Sequence, residues 1–266
     1  MSFAEKYGPW ALVAGASDGI GLAFSKRLAG EGLKLILVSR SQQKLDKAAA
    51  EVRALGAECI TVSADLSLPG GADKAIAGAG DREVGLVVTN AGADSINMTF
   101  LDADVAAWEG LATMNVATKL RFAHHYGRQM RDRGRGGMIL INSGACYSGM
   151  FGLAAYCASK GFVLNFSEGL WAELRHHGID VLTMVLGQTD TPSYRATLEK
   201  SGQPLPDNWA DPNDVAATAL AQLPHGPIYN WGQTNDVAGY APNSPDDRRA
   251  RIVMIEQMTS ALTERK

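Results

Sequence analysis

Three features of the chain predict an α/β fold: a doubly wound parallel sheet of about seven strands with helices on both faces. Short apolar runs alternate with longer segments of helical period, the mark of repeated βαβ units. The first run leads straight into a glycine-rich turn, Ala14-Gly15-Ala16-Ser17-Asp18-Gly19-Ile20-Gly21, which opens a helix. No break in composition divides the 266 residues, so residues 1–266 read as one domain.

The elements follow in order. Trp10 to Ala14 is strand one and Gly19 to Glu31 its helix. Leu33 to Ser39 is strand two, followed by a helix over Gln42 to Leu55. Glu58 to Ser63 makes strand three, with a helix around Ala72 to Ala79. Val84 to Thr89 is strand four, and Asp104 to Arg131 one long helix. Gly137 to Asn142 is strand five and Leu153 to His176 another long helix. Ile179 to Leu186 is strand six, and Ile228 to Trp231 fits a short seventh. The order is that of a Rossmann-type domain.

Between strand six and the last run, Gly187 to Asp211 reads as an irregular binding loop, with four prolines within Thr191 to Pro212. In Asp246 to Glu264 the apolar residues Ile252, Ile255, Met258 and Leu262 fall at helical spacing, as expected of a helix capping the core or meeting another subunit.

Composition excludes several classes. A net charge of −3 with 20% charged residues gives no basic surface for nucleic acid. The longest apolar runs, such as Leu35 to Val38 and Met138 to Ile141, are strand-sized and predict no membrane span. Met1 to Gly8 carries Glu5 and Lys6 and has no apolar signal core. Cys59, Cys146 and Cys157 lack metal-ligand spacing, and an odd count suits a reducing compartment. A cytoplasmic protein without a metal site is expected.

The first turn can bring backbone close to a pyrophosphate at a helix N-terminus, because Gly15, Gly19 and Gly21 impose no side chain. At the end of strand two an acid would hold a ribose 2′-hydroxyl. Here stands Ser39-Arg40-Ser41, whose guanidinium suits a 2′-phosphate, so NADP(H) is favoured over NAD(H). Asp65-Leu66, after strand three, suits an adenine contact or a helix cap. Asn90-Ala91-Gly92, after strand four, leaves room for a ribose and nicotinamide. Tyr156 and Lys160 lie four apart on one helix face, where an ammonium can lower a phenol pKa that is ordinarily about 10. Such a phenol is a general acid/base, and Ser143 can hold the oxygen that it serves.

With these pieces in order, the chain resembles the short-chain dehydrogenase/reductase superfamily from about Gly8 to Thr191. The resemblance rests on Gly15-x-x-x-Gly19-x-Gly21, Asn90-Ala91-Gly92, Asn115, Ser143, Tyr156-x-x-x-Lys160 and Gly187-x-x-x-Thr191. It implies reversible hydride transfer between NADP(H) and a ketone or secondary alcohol in a homodimer or homotetramer. It implies Tyr156 as the acid/base, Lys160 as its tuner and ribose ligand, and Ser143 as the oxygen ligand. Asn115 would hold a water relaying protons from Lys160. The implied cofactor cradle is Gly15, Ser17, Asp18, Gly19, Ile20, Gly21, Ser39, Arg40, Asp65, Leu66, Asn90, Ala91, Gly92, Tyr156, Lys160, Gly187, Thr189 and Thr191. Ala14, Thr89 and Leu186 depart from the family's usual Thr, Asn and Pro. Lys6 to Val13, running into the glycine turn, is similar to the branch of 17β-hydroxysteroid dehydrogenases and 3-ketoacyl-CoA reductases.

Substrate walls are expected from Ala93 to Ile96, Gly144 to Leu153 and residues 188–208. Cys146, Tyr147, Met150, Phe151, Tyr194 and Trp209 favour a bulky hydrophobic or aromatic ketone. Cys146 and Cys157 read as packing residues, and His124-His125 and His176-His177 as surface residues. A nonredox dehydratase or epimerase, or a silent NADP(H)-binding regulator, remains an alternative on the same scaffold.

Overall fold

A computed structural model describes residues 1–92, 96 and 98–231. Of the expected substrate walls, Ala93 to Ser95 lie outside the described residues, as does the Asp246 to Glu264 helix.

Seven strands form one sheet in the order β3-β2-β1-β4-β5-β6-β7, every neighbouring pair parallel. They are β1 (Trp10–Ala14), β2 (Lys34–Ser39), β3 (Cys59–Ser63), β4 (Val84–Thr89), β5 (Gly136–Ser143), β6 (Ile179–Leu186) and β7 (Ile228–Asn230). Strand order reverses between β1 and β4, and a crevice at the carboxyl ends of such a pair is where this fold class binds ligands. The two strand ends are tied together there: the carbonyl of Ala14 accepts from the N–H groups of Asn90 (3.1 Å) and Ala91 (2.9 Å).

The helices are α1 (Phe3–Tyr7), α2 (Gly19–Gly30), α3 (Gln42–Ala54), α4 (Gly71–Ala79), α5 (Val105–Ala112), α6 (Thr118–Arg133), α7 (Ala154–Leu174), α8 (Pro192–Lys200) and α9 (Pro212–Gln222). Two apolar cores lie on opposite faces of the sheet. Alternate strand residues such as Ala11, Val13, Leu35 and Leu37 join Phe24 and Leu28 of α2, Leu45 of α3 and Val215 of α9. Their neighbours Leu12, Ile36, Val38 and Val87 join Ala75 of α4, Phe122 and Tyr126 of α6 and Val163 of α7. This period-two division follows from the pleat. Strands covered on both faces are continuous apolar runs, as in the fully buried β4. No helix among the described residues is long and apolar enough to cross a membrane.

Two expectations need correction. The helix expected over Asp104 to Arg131 is three pieces: α5, a π-helical turn at Thr113–Ala117, and α6. Thr113–Ala117 contain no glycine or proline to mark a break, so nothing in the sequence signals the widened turn. The segment Gly187 to Asp211 is not irregular throughout, because it contains α8. Thr191 caps α8 by accepting from the N–H of Tyr194 (3.2 Å), and Pro192 stands in its first turn. Proline is compatible with that position, since its missing N–H has no intrahelical partner there. Asp211-Pro212 repeats the signature at α9, where Asp211 accepts from the N–H of Asn213 at 2.7 Å.

Candidate active site

The glycine turn packs so tightly that side chains would not fit. A Cβ on Gly21 would lie 1.9 Å from the carbonyl oxygen of Gly15. One on Gly15, at φ +82°, would lie 2.9 Å from the nitrogen of Ala91. Asn90 Nδ2 donates to the Gly15 carbonyl at 3.1 Å, joining the turns after β1 and β4. Asp18 heads α2 but makes no side-chain cap; its carboxylate pairs with Lys44 at 2.9 Å. The first N–H groups of α2 are therefore left without that cap, in the arrangement that binds phosphate. Ile20 packs against the core, and Thr191 closes over the turn, its Cγ2 3.1 Å from where a Gly19 Cβ would stand.

At the end of β2, Ser39 Oγ donates to Ser17 Oγ at 3.0 Å, and the Arg40 side chain is exposed beside them. Burial pushes the Asp65 carboxyl up. Hydrogen bonds from Ser67 Oγ (2.6 Å) and N (3.0 Å), with the Arg40 guanidinium close by, outweigh this and hold it below the usual carboxylate value. Asp65 is thus engaged as a turn cap, while Leu66 is buried and accepts from Thr118 Oγ1 at 3.0 Å. Thr189 is also buried, its hydroxyl donating to the Gly187 carbonyl at 3.4 Å.

The four expected catalytic residues come from three elements. Ser143 ends β5 and accepts from the N–H of Ala145 at 3.2 Å, capping a short 3-10 turn, Gly144–Tyr147. Tyr156 and Lys160 lie in the first two turns of α7, with Lys160 Nζ 5.3 Å from the centre of the Tyr156 ring. Asn142 Nδ2 donates to the carbonyl of Lys160 at 3.2 Å, so the strand end carrying Ser143 is locked to the helix carrying the pair. Asn115 sits in the π-turn, fully buried, with Nδ2 donating to the Leu111 carbonyl at 3.2 Å. Its Oδ1 has no hydrogen-bond partner among the described residues.

Gly92 is the point at which these groups meet. A Cβ there would stand 2.3 Å from Asn115 Oδ1 and 3.3 Å from Lys160 Nζ, at a backbone φ of +151°. The widened turn aims Asn115 at that spot, and such π-bulges recur at functional sites. The uncapped α2 terminus, the cradle that only glycine leaves open and the orphaned Asn115 oxygen together would fit a bound dinucleotide.

Lys160 is only 3% exposed, and burial pushes its ammonium down to about 8, with the Cys146 thiol acting in the opposite direction. Cys146 itself is pushed up to about 12 by burial, which leaves it a packing thiol. His124, His176 and His177 are exposed, as expected, whereas His125 is half-buried, edge-on to Tyr126 with ring centroids 4.7 Å apart.

Sequence reasoning missed Lys119, Asn142 and the partner of Tyr147. Lys119, four residues beyond Asn115, is buried and donates to the carbonyls of Thr89 (3.2 Å) and Ala91 (3.3 Å). Only its helical spacing from Asn115 gave a signal. Asn142 offered none. Tyr147, beside Ser143, donates to Oδ1 of the buried Asn230 on β7 at 2.7 Å, a pairing between residues 83 apart.

The family model for short chain dehydrogenases matches residues 9–202. A 7beta-hydroxysteroid dehydrogenase of Collinsella aerofaciens is 34% identical over 199 residues, spanning 74% of this chain and 75% of its own. A very-long-chain 3-oxoacyl-CoA reductase of Podospora anserina is 36% identical over 184 residues, spanning 66% of this chain and 53% of its own. A short-chain dehydrogenase from Sphingobium yanoikuyae, solved in complex with NADPH, superposes with a TM-score of 0.79 at 26% identity. That superposition covers 94% of this chain and 97% of the other.

The buried ammonium gives a stability test. At neutral pH both folded and unfolded states hold the Lys160 proton, and the folded state bears the unfavourable burial. Between about 8 and 10.5 the folded state releases it first, so native stability rises with pH through that window. Lys160→Met should therefore be more stable than the native chain at neutral pH, by on the order of 3 kcal/mol, with the gain vanishing above the window. Urea unfolding at both pH values checks this; an equal midpoint difference at the two would contradict it.

Proposed function

The chain belongs to the short-chain dehydrogenase family and is an oxidoreductase of the CH–OH/C=O class, and on that premise we propose that it interconverts a bulky hydrophobic ketone and its secondary alcohol with NADP(H). The observation that carries the reading is the buried Lys160 beside Tyr156, facing the orphaned Asn115 oxygen across Gly92.

In the reductive direction, Tyr156 Oη gives its proton to the substrate oxygen while Ser143 Oγ donates a hydrogen bond to the same atom. The nicotinamide, when bound, supplies the hydride. Lys160, charged below about pH 8, stabilises the phenolate left on Tyr156 and donates to the ribose hydroxyls. Lys160 then returns a proton to the Tyr156 phenolate, and Asn115 Oδ1 accepts from a water through which Lys160 recovers its own. Oxidation runs the same contacts backwards.

The preference for NADP(H) is supported by Arg40, an exposed guanidinium flanked by the hydroxyls of Ser39, Ser41 and Ser17, with no carboxylate at the end of β2. The NADPH complex of the Sphingobium yanoikuyae relative points the same way. The substrate class is supported by Tyr147, Met150, Phe151, Tyr194 and Trp209, all partly buried in the segments after β5 and β6. It agrees with the steroid and long acyl chain in the names of two relatives.

Tyr156→Phe should lower turnover of a bulky ketone by about 10²–10⁴-fold while changing the NADPH dissociation constant by less than about threefold. Steady-state kinetics with fluorescence titration would measure both, and near-native turnover would remove Tyr156 from its role. Arg40→Asp exchanges a phosphate partner for a repelling charge. The ratio of kcat/KM with NADPH to that with NADH should fall by about 10-fold or more. An unchanged ratio would show that Arg40 does not read the phosphate.

A further inference from the structure

Lys119 is a buried amine that the reaction just described does not use. It is 1% exposed, projecting from the first turn of α6 beneath the end of β4. Nζ lies 3.2 Å from the carbonyl oxygen of Thr89 and 3.3 Å from that of Ala91. The next residue, Gly92, is the one against which Asn115 Oδ1 and Lys160 Nζ are packed. Lys119 therefore underlies the same turn that Lys160 meets from α7.

A donor count bears on its state. An ammonium carries three N–H donors and needs three acceptors when buried, whereas an uncharged amine carries two. Two carbonyl acceptors are present among the described residues. A third, unmatched donor on a buried charge would be strongly unfavourable. The surroundings agree. Lys119 is faced by the Lys160 ammonium from α7 and by the carbonyls of Thr89, at the end of β4, and Ala91 beyond it, and Lys160 is faced by the Cys146 thiol and the Tyr156 ring. Among the described residues no carboxylate neutralises either amine. Two ammonium groups in such a space repel, and one must yield its proton. Burial and the Lys160 charge both push Lys119 well below the ordinary lysine value.

We propose that Lys119 is a positioning residue held as an uncharged amine, whose two N–H groups clamp the Thr89–Ala91 turn under the nicotinamide side of the cofactor site. The uncharged state leaves Lys160 as the cation next to Tyr156. The clamp holds Gly92 at the depth where a dinucleotide passes between it and the catalytic pair. Its role in cofactor binding rests on the function proposed above; its charge state does not.

Enzyme containing lysine labelled with carbon-13 at Cε reads that charge directly. At about pH 7 the native spectrum should contain one lysine with the shift of an uncharged amine, distinct from Lys160, which titrates near 8. That signal should be missing from Lys119→Met. The same variant should bind NADPH about fivefold more weakly by fluorescence titration, having lost both carbonyl contacts. A native spectrum in which every lysine is charged at about pH 7 overturns the proposal, whether or not the variant folds. So does a Lys119→Met protein that binds NADPH as tightly as the native one. A native protein that fails to bind NADPH would instead refute the proposed function, leaving the spectrum to decide the charge of Lys119.

Discussion

Burying the Lys160 amine with no carboxylate partner among the described residues is the constraint around which this site is arranged. Carrying a charge out of water is unfavourable unless the surroundings match it, and here burial wins, bringing the ammonium close to neutrality. An acid near its own pKa can exchange protons at the pH where the protein works, which an ordinary lysine on the surface cannot do as readily. Several other features follow from housing that group. Gly92 has no side chain because a Cβ would reach Asn115 and Lys160. Asn142 ties the Lys160 carbonyl to the strand end before Ser143, so Ser143 and Lys160 move as one body. The π-turn widens its helix where Asn115 must point inward. Each of these gives up some regularity of backbone or side chain for the geometry of one amine.

The sheet explains why the site lies where it does. Strands β1 and β4 diverge into connections on opposite faces, and their carboxyl ends are bridged by Ala14, Asn90 and Ala91. That bridge forms the floor between the glycine turn after β1 and the turn after β4. Asn90 extends it to Gly15, and Lys119 supports it from below. The two apolar cores hold the floor rigid from both faces. Precise placement of reacting groups is worth more than any single contact in a reaction limited by orientation.

Much of this could be read in the sequence, for identifiable reasons. Short apolar runs gave the sheet: β1 is apolar throughout, β4 is interrupted only by Gly85 and Thr89, and β6 only by Asp180 and Thr183. The pair Tyr156 and Lys160 was legible because helix geometry alone brings positions four apart together. The π-turn was hidden, because Thr113 to Ala117 hold no glycine or proline to mark a change of helix. Helix α8 was hidden by composition: prolines at 192, 204, 206 and 212 suggested a loop, although two of them occupy first helical turns. Asn142 and the Tyr147–Asn230 contact depend on where distant strands end, and Lys119 on the carbonyls of a strand in another part of the chain. No local pattern carries those facts.

The central claim is that Tyr156 and Lys160 serve direct hydride transfer to a carbonyl carbon. The most direct measurement follows an isotope. NADPH carrying deuterium on either face of nicotinamide C4 would be incubated with a bulky hydrophobic ketone, and the alcohol examined for label. One of the two labelled forms should deliver one deuterium to the carbinol carbon for each NADPH oxidised. Product lacking deuterium from both, or formed without NADPH oxidation, would contradict the account.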